Sequence, residues 1–403
     1  MLKVPRCPLA FFLAAPLVAQ TFVVDAANGP GTNFTDLPPA ILAVPDGAIL
    51  LVRPGTYGRI VLDGKGMSIL ATAPGVNLAA NQLPIYVKNL TAAQAFTLRG
   101  IHAQQGATYD IGFLQNCSGP VLIDGFQFTS TQTFDSLYSR ALRIETCAQV
   151  MLRNCTLRAY AAVYASNSTI VAEQCELHGH DAFYISMMGA YPGMGIECDV
   201  SNVTLSRCHV SGGNGLMIPA IFVAPAPAIA AYHSLVRLCE DASGSYTAGQ
   251  LTSGGPVAAI GVSLSTIVRS PEAVLVGSNG GPAVAAGLTD IVRPLPSLRT
   301  ISAPPGGIVQ VDVTTPVGEI VFVFFGRPSV APLGIPGFDG TFGLDPGSAL
   351  LATAGVPQTG VPVVMSLQVP SLPIFVGERY AWQALAWSAP DGFRFSNAST
   401  YAH

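Results

Sequence analysis

The chain has 403 residues, a formal net charge of −4, and 10% charged against 50% hydrophobic side chains, whereas an average soluble protein carries about 25% charged residues. That length allows two or three domains. So small a charge, with three lysines in all, excludes a basic surface for nucleic acid or an anionic membrane, and high apolar content without charge blocks excludes disorder.

Residues 1–20 are expected to be a secretory signal peptide, with Lys3 and Arg6 as its positive start, Pro8 to Val18 as its apolar run and Ala19 before the cut. The expected destination is therefore outside the cell or in the periplasm and cell envelope. Phe22 to Asp25 begins a strand. Residues 35–44 suit one short helix despite Pro38 and Pro39. Then, from Phe96 to Asp241, one pattern recurs. Val150 to Leu157 is its clearest copy, with apolar residues at the first, third, sixth and eighth places. Related copies run Phe96 to Ala103, Val121 to Phe128, Ile170 to Leu177, Val203 to Val210 and, more faintly, Ser234 to Asp241.

Each copy alternates as a strand, reverses parity at one residue, and alternates again. The reversal falls on Gly100, Gly125, Asn154, Gln174 and Arg207, so a tight bend is expected there. Gly and Asn accept the left-handed backbone that such a bend requires. Two strands joined at a bend and repeated describe the coils of a parallel β-helix, in which each unit buries its apolar face only against its neighbours. The apolar run from Leu216 to Tyr232 contains Pro219, Pro225 and Pro227 and is shorter than the roughly 20 residues of a membrane span, so it reads as a loop or an irregular coil. Residues 260–285 carry two or three degenerate coils. The proline-rich stretches Arg293 to Ser297 and Ala303 to Gly307 mark a domain edge. Beyond them Ile308 to Val313, Glu319 to Phe325, Val363 to Val369 and Ala381 to Trp387 read as longer strands of a β-sandwich. The expected organisation is a signal peptide over 1–20, a right-handed parallel β-helix with an N-terminal cap over 21–295, and a small C-terminal β-sandwich over 296–403.

The expected mature chain keeps seven cysteines. Cys155, Cys175, Cys208 and, by the faint copy, Cys239 fall on one inward place, while Cys117, Cys147 and Cys198 precede first strands. Three readings stand beside one another: a column of small apolar residues, disulfides between neighbouring coils, or a metal site. The last lacks a C-x-x-C pair and zinc-type His spacing. An odd total leaves at least one thiol without an intramolecular partner. Seven N-x-S/T sequons, among them Asn116, Asn154, Asn167 and Asn202, follow the repeat and so read first as turn and strand residues.

The segment Asp46-Gly47-Ala48-Ile49-Leu50-Leu51-Val52-Arg53-Pro54-Gly55-Thr56-Tyr57 resembles the D-G-x-x-I-x-V-x-P-G-x-Y opening of the pectinesterase-like, pectin lyase-like right-handed β-helix proteins, with Leu50 in place of Ile. The likeness covers residues 22–74. It implies a helix capping the first coil, and it implies no single chemistry, because carbohydrate enzymes, surface proteins and periplasmic accessory proteins share it. That family's catalytic segments are echoed only by Ile123-Asp124-Gly125-Phe126 and by Gly326-Arg327-Pro328-Ser329, the latter in the C-terminal part of the chain. The closing stretch from Leu372 to Asn397 is similar to C-terminal modules of exported planctomycete-type proteins.

Two clusters carry the candidate chemistry. Glu173, Glu176, His178, His180 and Asp181 combine carboxylates with imidazoles, which can act as acid and base or hold a cation. Asp124, Arg143, Glu145, Arg153 and Arg158 form the second. Asp124, Arg153 and Glu173 hold equivalent outward places on consecutive copies, so they should stack as one column. As a site, Asp124, Glu173, His178, His180 and Asp181 are the catalytic candidates, and Arg153, Arg158, Tyr160 and Tyr184 the substrate-binding ones. No metal ligand set is identified. No cofactor is expected, and no motif supports Ca²⁺. The expected function is an exported solenoid that presents a rigid face to polysaccharide or the cell envelope without catalysis. The alternative is a carbohydrate-active enzyme: a polysaccharide lyase, a glycosidase or a pectinesterase-like protein. The expected partner is a polysaccharide or cell-surface glycan, with no nucleic acid and no membrane span.

Overall fold

The computed structural model describes residues 20–79, 83–103, 110–129, 139–185, 188–218, 221–240, 243–250, 256–358, 362–371 and 376–402. The leader expected over 1–20 thus lies, but for Gln20, outside the described residues. Each repeat copy forms two strands, as its parity predicts. Val150–Arg153 belongs to a long sheet of eleven parallel strands and Thr156–Ala159 to a second sheet of nine. A third sheet of eight strands completes eight of the coils, its members including Ile85–Lys88, Gly112–Gln115, Arg140–Glu145, Ala161–Ser166 and Met194–Asp199. Parallel strands joined by crossovers in one direction give a right-handed coil. The chain is a right-handed parallel β-helix.

The pairing is in strict register. Ile123, Leu152, Ala172, Leu205 and Leu238 lie on successive rungs and are all buried, so one apolar column runs the length of the core. Adjacent rungs lie about 4.8 Å apart. Left-handed residues turn the chain at two corners. At the first, between the long and nine-stranded sheets, Gly100, Gly125, Asn154, Gln174 and Arg207 have φ of 68°, 69°, 50°, 53° and 54°. The bend is therefore present at every expected position, including the Gln and the Arg. At the second corner, from the eight-stranded to the long sheet, Asn89, Asn116, Thr146, Asn167, Val200, His233 and Leu264 lie between 46° and 58°.

Beside that second corner a serine ladder links the coils. Ser168 Oγ accepts from Cys147 N at 3.0 Å, Ser201 Oγ from Ser168 N at 3.2 Å, Ser234 Oγ from Ser201 N at 3.1 Å and Ser265 Oγ from Ser234 N at 3.0 Å. Valine is ill suited to its corner, since the left-handed conformation costs an L-residue about 1–2 kcal/mol and glycine returns only about 0.5–1 kcal/mol of that as lost chain entropy. Val200→Gly, at an exposed position, should raise stability by about 0.5–1 kcal/mol by that difference. Thermal and urea unfolding of the two proteins measure it, and a lower midpoint in the variant would refute the strain.

The helix Leu37–Ala43 closes the first coil and buries Leu37, Ala40 and Ile41. Asp36 caps it, one carboxylate oxygen accepting from Leu37 N at 2.8 Å and Gly58 N at 2.7 Å. Tyr57 fixes the opening segment, its hydroxyl donating to Arg53 O at 2.7 Å and accepting from Ala26 N at 3.1 Å. The Leu216–Tyr232 run is a hairpin, Leu216–Ile218 against Ile221–Val223, followed by the rung strand Ile229–Tyr232.

All seven described cysteines are free and buried. Cys155, Cys175 and Cys208 do form an inward stack, in which burial first, and then the neighbouring sulfurs, push the Cys175 thiol well above its ordinary pKa. Cys239 does not join it. Leu205 pairs with Leu238, so Cys239 lies opposite Ser206 instead, and it packs with Val268 and Leu295. The rung itself is in register, and the copy begins at Val236, opposite Val203, two residues later than the sequence pattern placed it.

From Ser297 on the strands pair antiparallel, except for Phe338–Asp339 beside Gly392–Phe395, in sheets of three, six and two strands. Their core holds Val309, Val311, Val321, Val323, Trp382 and Tyr401. This C-terminal module lies alongside the solenoid, against the outer face of the long sheet, where Ala402 packs on Leu122, Met151 and Val171.

Candidate functional site

The outward column of the long sheet is ordered as expected, with Asp124 opposite Arg153 and Arg153 opposite Glu173. It is not open to a ligand. Arg153 and Glu173 are each 3% exposed, because the C-terminal module sits on them. Arg153 Nη2 donates to Thr300 O, while Thr300 N, at 3.3 Å, and Ser399 Oγ donate to Glu173. Two rungs away Arg99 Nη1 donates to Ala402 O at 2.8 Å. Asp124 accepts from Asn154 Nδ2 at 2.9 Å, an intercoil bond at the corner. Strand parity distinguishes inward from outward but not covered from exposed, so Glu173 and Arg153 are fasteners between the two parts of the chain. Arg143 and Glu145 also leave this cluster, for they belong to the eight-stranded sheet.

His178, Asp181 and Arg158 do come together. They border an open hollow of about 270 Å³ shared with Ser211, Thr247 and Gln250. His178 Nδ1 lies 2.7 Å from Ser211 Oγ, and burial holds this imidazole below its usual pKa. Arg158 and Asp181 form a loose pair at 3.5 Å. Asp181 Oδ1 accepts from Asn214 N at 2.8 Å, and Asn214 Oδ1 accepts from Gln250 N at 2.7 Å, which makes Asp181 the first step of a polar ladder between loops. Asp181 is the one carboxylate among the residues lining the hollow. Glu176 is exposed on its own strand. His180 is 1% exposed, its ring edge-on to Tyr160 at 5.7 Å, so both are packing residues. The Tyr184 side chain lies outside the described residues.

The face that sequence reading missed is the outer side of the eight-stranded sheet. Val61, Tyr86, Phe113, Arg143, Tyr164 and Glu197 occupy one place on six successive rungs. Tyr86 and Phe113 stack with centroids 5.4 Å apart and planes 13° from parallel. The Arg143 guanidinium lies over Phe113 at 4.7 Å and that of Arg140 over Tyr164 at 4.2 Å, both within cation–π range. Carboxylates hold these cations in place: Arg143 pairs with Glu145 at 2.6 Å and with Asp110 at 3.4 Å. Lys88 pairs with Asp63 at 3.0 Å beside Tyr86. Glu197 is half-buried at the end of the row. Burial, reinforced by the Asp199 charge and opposed by Arg140, raises its carboxyl above the ordinary range. The arrangement is a ladder of aromatic rings and cations stacked on one another and edged by hydrogen-bonding and charged groups. Among the described residues no three His, Cys, Asp or Glu side chains are grouped to hold a metal ion, and no helix is long and apolar enough to cross a membrane.

No family model matches the chain, and no curated protein matches it. Solved structures do. Pectate lyase Pel9A is similar at 11% identity and a TM-score of 0.38, over 68% of this chain and 78% of that one. Pectin methylesterase PemA from Erwinia chrysanthemi is similar at 10% identity and a TM-score of 0.33, over 69% of this chain and 81% of that one. Tailspike protein 2 of Escherichia coli O157:H7 bacteriophage CAB120 follows at 10% identity and a TM-score of 0.30, over 85% of this chain and 61% of that one. The likeness is one of fold.

Proposed function

We propose that the chain is an exported solenoid that binds polysaccharide on the outer face of its eight-stranded sheet and does no chemistry on it. The observation that carries this reading is the row Tyr86, Phe113, Arg143, Tyr164 and Glu197, stacked in register and half-buried on the outer face of the sheet. Sugar rings have apolar faces that rest on aromatic rings and hydroxyl edges that bond to polar side chains, and each ring of this row has a charged neighbour. The long sheet, by contrast, is occupied by the chain's own C-terminal module. Export rests on the leader-like residues Lys3, Arg6 and Pro8 to Ala19.

Titration of the mature protein with a panel of neutral and acidic polysaccharides, followed by affinity electrophoresis, tests the reading. The double variant Phe113→Ala, Tyr164→Ala should bind the best ligand at least about tenfold more weakly, a loss of about 1.4 kcal/mol. Asp181→Ala should bind as the parent does. Binding that ignores the double variant would move the site elsewhere.

A second reading rests on Glu197. A carboxyl whose pKa is raised by burial, with the Asp199 charge adding to the shift, suits a general acid, which favours a glycan-cleaving enzyme using the same face. Mass spectrometry of the panel after incubation, with and without Ca²⁺, separates the two. Products that vanish with Glu197→Gln, at a rate that falls as pH rises through the raised pKa, would establish the enzyme.

A further inference from the structure

The serine ladder beside the second corner has two further places at its head. Glu145 pairs with Ser166 and Gln115 with Glu145, so two residues further on Cys147 lies opposite Ser168 and Cys117 opposite Cys147. Asn116 N donates to Glu145 O at 3.0 Å and Ala148 N to Cys117 O at 2.8 Å, which fixes the two cysteines side by side on adjacent rungs. Their side chains also take the serine pose. Ser168, Ser201 and Ser234 donate through Oγ to the carbonyl two residues before, at 2.7, 2.8 and 2.6 Å. Cys117 Sγ and Cys147 Sγ do the same to Gln115 O and Glu145 O, both at 3.4 Å.

A thiol is a weaker donor and acceptor than a hydroxyl, so hydrogen bonding gives no reason for sulfur at these two places. Contact between the sulfurs does. The two thiols are within hydrogen-bonding reach, Cys147 lowering the pKa of Cys117 and Cys117 raising that of Cys147, so Cys117 is the first of the two to become a thiolate. Rungs about 4.8 Å apart lie inside the roughly 4.4–6.8 Å Cα range of a disulfide. The pair is also closed to other sulfurs in its column. The place above Cys117 is Leu90, whose carbonyl accepts from Ser118 N at 2.8 Å, and the place below Cys147 is Ser168. The inward stack of Cys155, Cys175 and Cys208 differs, since Cys175 contacts both its neighbours and three sulfurs cannot all pair.

We propose that Cys117 and Cys147 are an oxidation site, closing to a disulfide between neighbouring coils by exchange with a small-molecule disulfide of the glutathione type. The Cys117 thiolate attacks one sulfur of glutathione disulfide and displaces a first glutathione. The Cys147 thiolate then attacks the Cys117 sulfur of that mixed disulfide and displaces the second. Two protein S–H bonds and the S–S bond of the oxidant give one protein S–S bond and two glutathione thiols, which carry away the two protons and two electrons. Both cysteines are buried, at 0% and 1% exposure, so the exchange belongs to the stage before these coils close, and the finished bond is shielded from reductant. The site deepens the export reading, which places assembly in an oxidising compartment.

Cell-free synthesis of the full chain, with glutathione disulfide or with dithiothreitol, supplies the oxidant directly and so separates this inference from export. After alkylation in denaturant, trypsin cuts at Arg99, Arg140, Arg143 and Arg153 and releases residues 100–140 and 144–153 as separate peptides. These should emerge joined from the oxidised chain and part on reduction, with Cys155, Cys175, Cys198, Cys208 and Cys239 alkylated. The oxidised chain should melt about 5 °C above the reduced one. Cys117→Ser with Cys147→Ser, which continues the ladder in hydroxyls, should melt at one temperature in both preparations; if that variant does not fold, the peptide map of the parent decides alone. Absence of the link under oxidant, a link from Cys175 to Cys155 or Cys208 in its place, or a redox-dependent melting shift that persists in the double variant would overturn the inference.

Discussion

Arg394→Met is expected to destabilise the protein by about 3–5 kcal/mol, the cost of leaving one partner of a buried ion pair alone. Arg394 is fully buried and its partner Glu319 is 3% exposed by side chain. The guanidinium also donates to Ser388 Oγ at 3.2 Å and to Pro294 O at 2.7 Å. Pro294 lies between the last parallel strand, Thr289–Val292, and the first antiparallel one, Ser297–Ile301, so this residue also anchors the passage from solenoid to module. Met fills the space but supplies no donor, and the Glu319 carboxylate is left with Thr315 Oγ1, at 2.7 Å, as its neutral partner. The double variant Arg394→Met, Glu319→Leu should recover most of the loss, because no uncompensated charge then remains inside. Urea unfolding of the three proteins reads both effects. A single variant costing under about 1 kcal/mol, the scale of an exposed pair, would show that the pair is not an anchor.

The second large effect belongs to Glu173. Glu173→Ala should cost about 3 kcal/mol, since Thr300 N and Ser399 Oγ would both lose their acceptor at a buried interface and each buried orphan costs about 1–3 kcal/mol. Glu173→Gln should behave differently. Burial raises the Glu173 carboxyl above its ordinary pKa, outweighing the opposing pull of Arg153. A group whose pKa is raised on folding stabilises the fold fully below its unfolded pKa and loses that contribution as pH rises through the folded value. The parent should therefore weaken from the ordinary carboxylate range upward, and Glu173→Gln, which keeps an acceptor but cannot ionise, should lack that decline. Thermal unfolding across pH 4–9 in both proteins measures the difference, a range of about five units spanning the ordinary and raised carboxylate values. Parallel curves would remove Glu173 as the source.

Two of the three strands in each coil were legible because their apolar places recur at fixed spacing around the Gly100, Gly125 and Asn154 corners. The third strand was not. Its inward residues, such as Ile85 and Val87 or Leu142 and Ile144, are as buried as the others. They follow connections of very different length, however: a single residue separates Thr156–Ala159 from Ala161–Ser166, whereas ten separate Gln127–Thr129 from Arg140–Glu145. A variable insertion destroys the period that reveals a repeat. Its corner was hidden as well, because Thr146, Val200, His233 and Leu264 are not residues that favour a left-handed backbone. The aromatic row was lost with the strand that carries it. The order Asp124, Arg153, Glu173 was readable, since register follows from the repeat. Their burial was not, because nothing within a strand names what lies on top of it.

The side-on placement of the C-terminal module changes how the whole chain should come apart. A solenoid whose coils touch only their neighbours frays from an end, coil by coil, like a one-dimensional chain of weakly linked units. Here Arg99, Arg153, Ser206 and Arg237, on four separate rungs of one sheet, are each bonded to the same module, through Ala402, Thr300, Ser297 and Asp339. A splint of that kind lets no middle coil leave without disturbing the rest, so cooperativity is imposed from outside the repeat, and the surface opposite the splint keeps its spacing until the entire molecule melts.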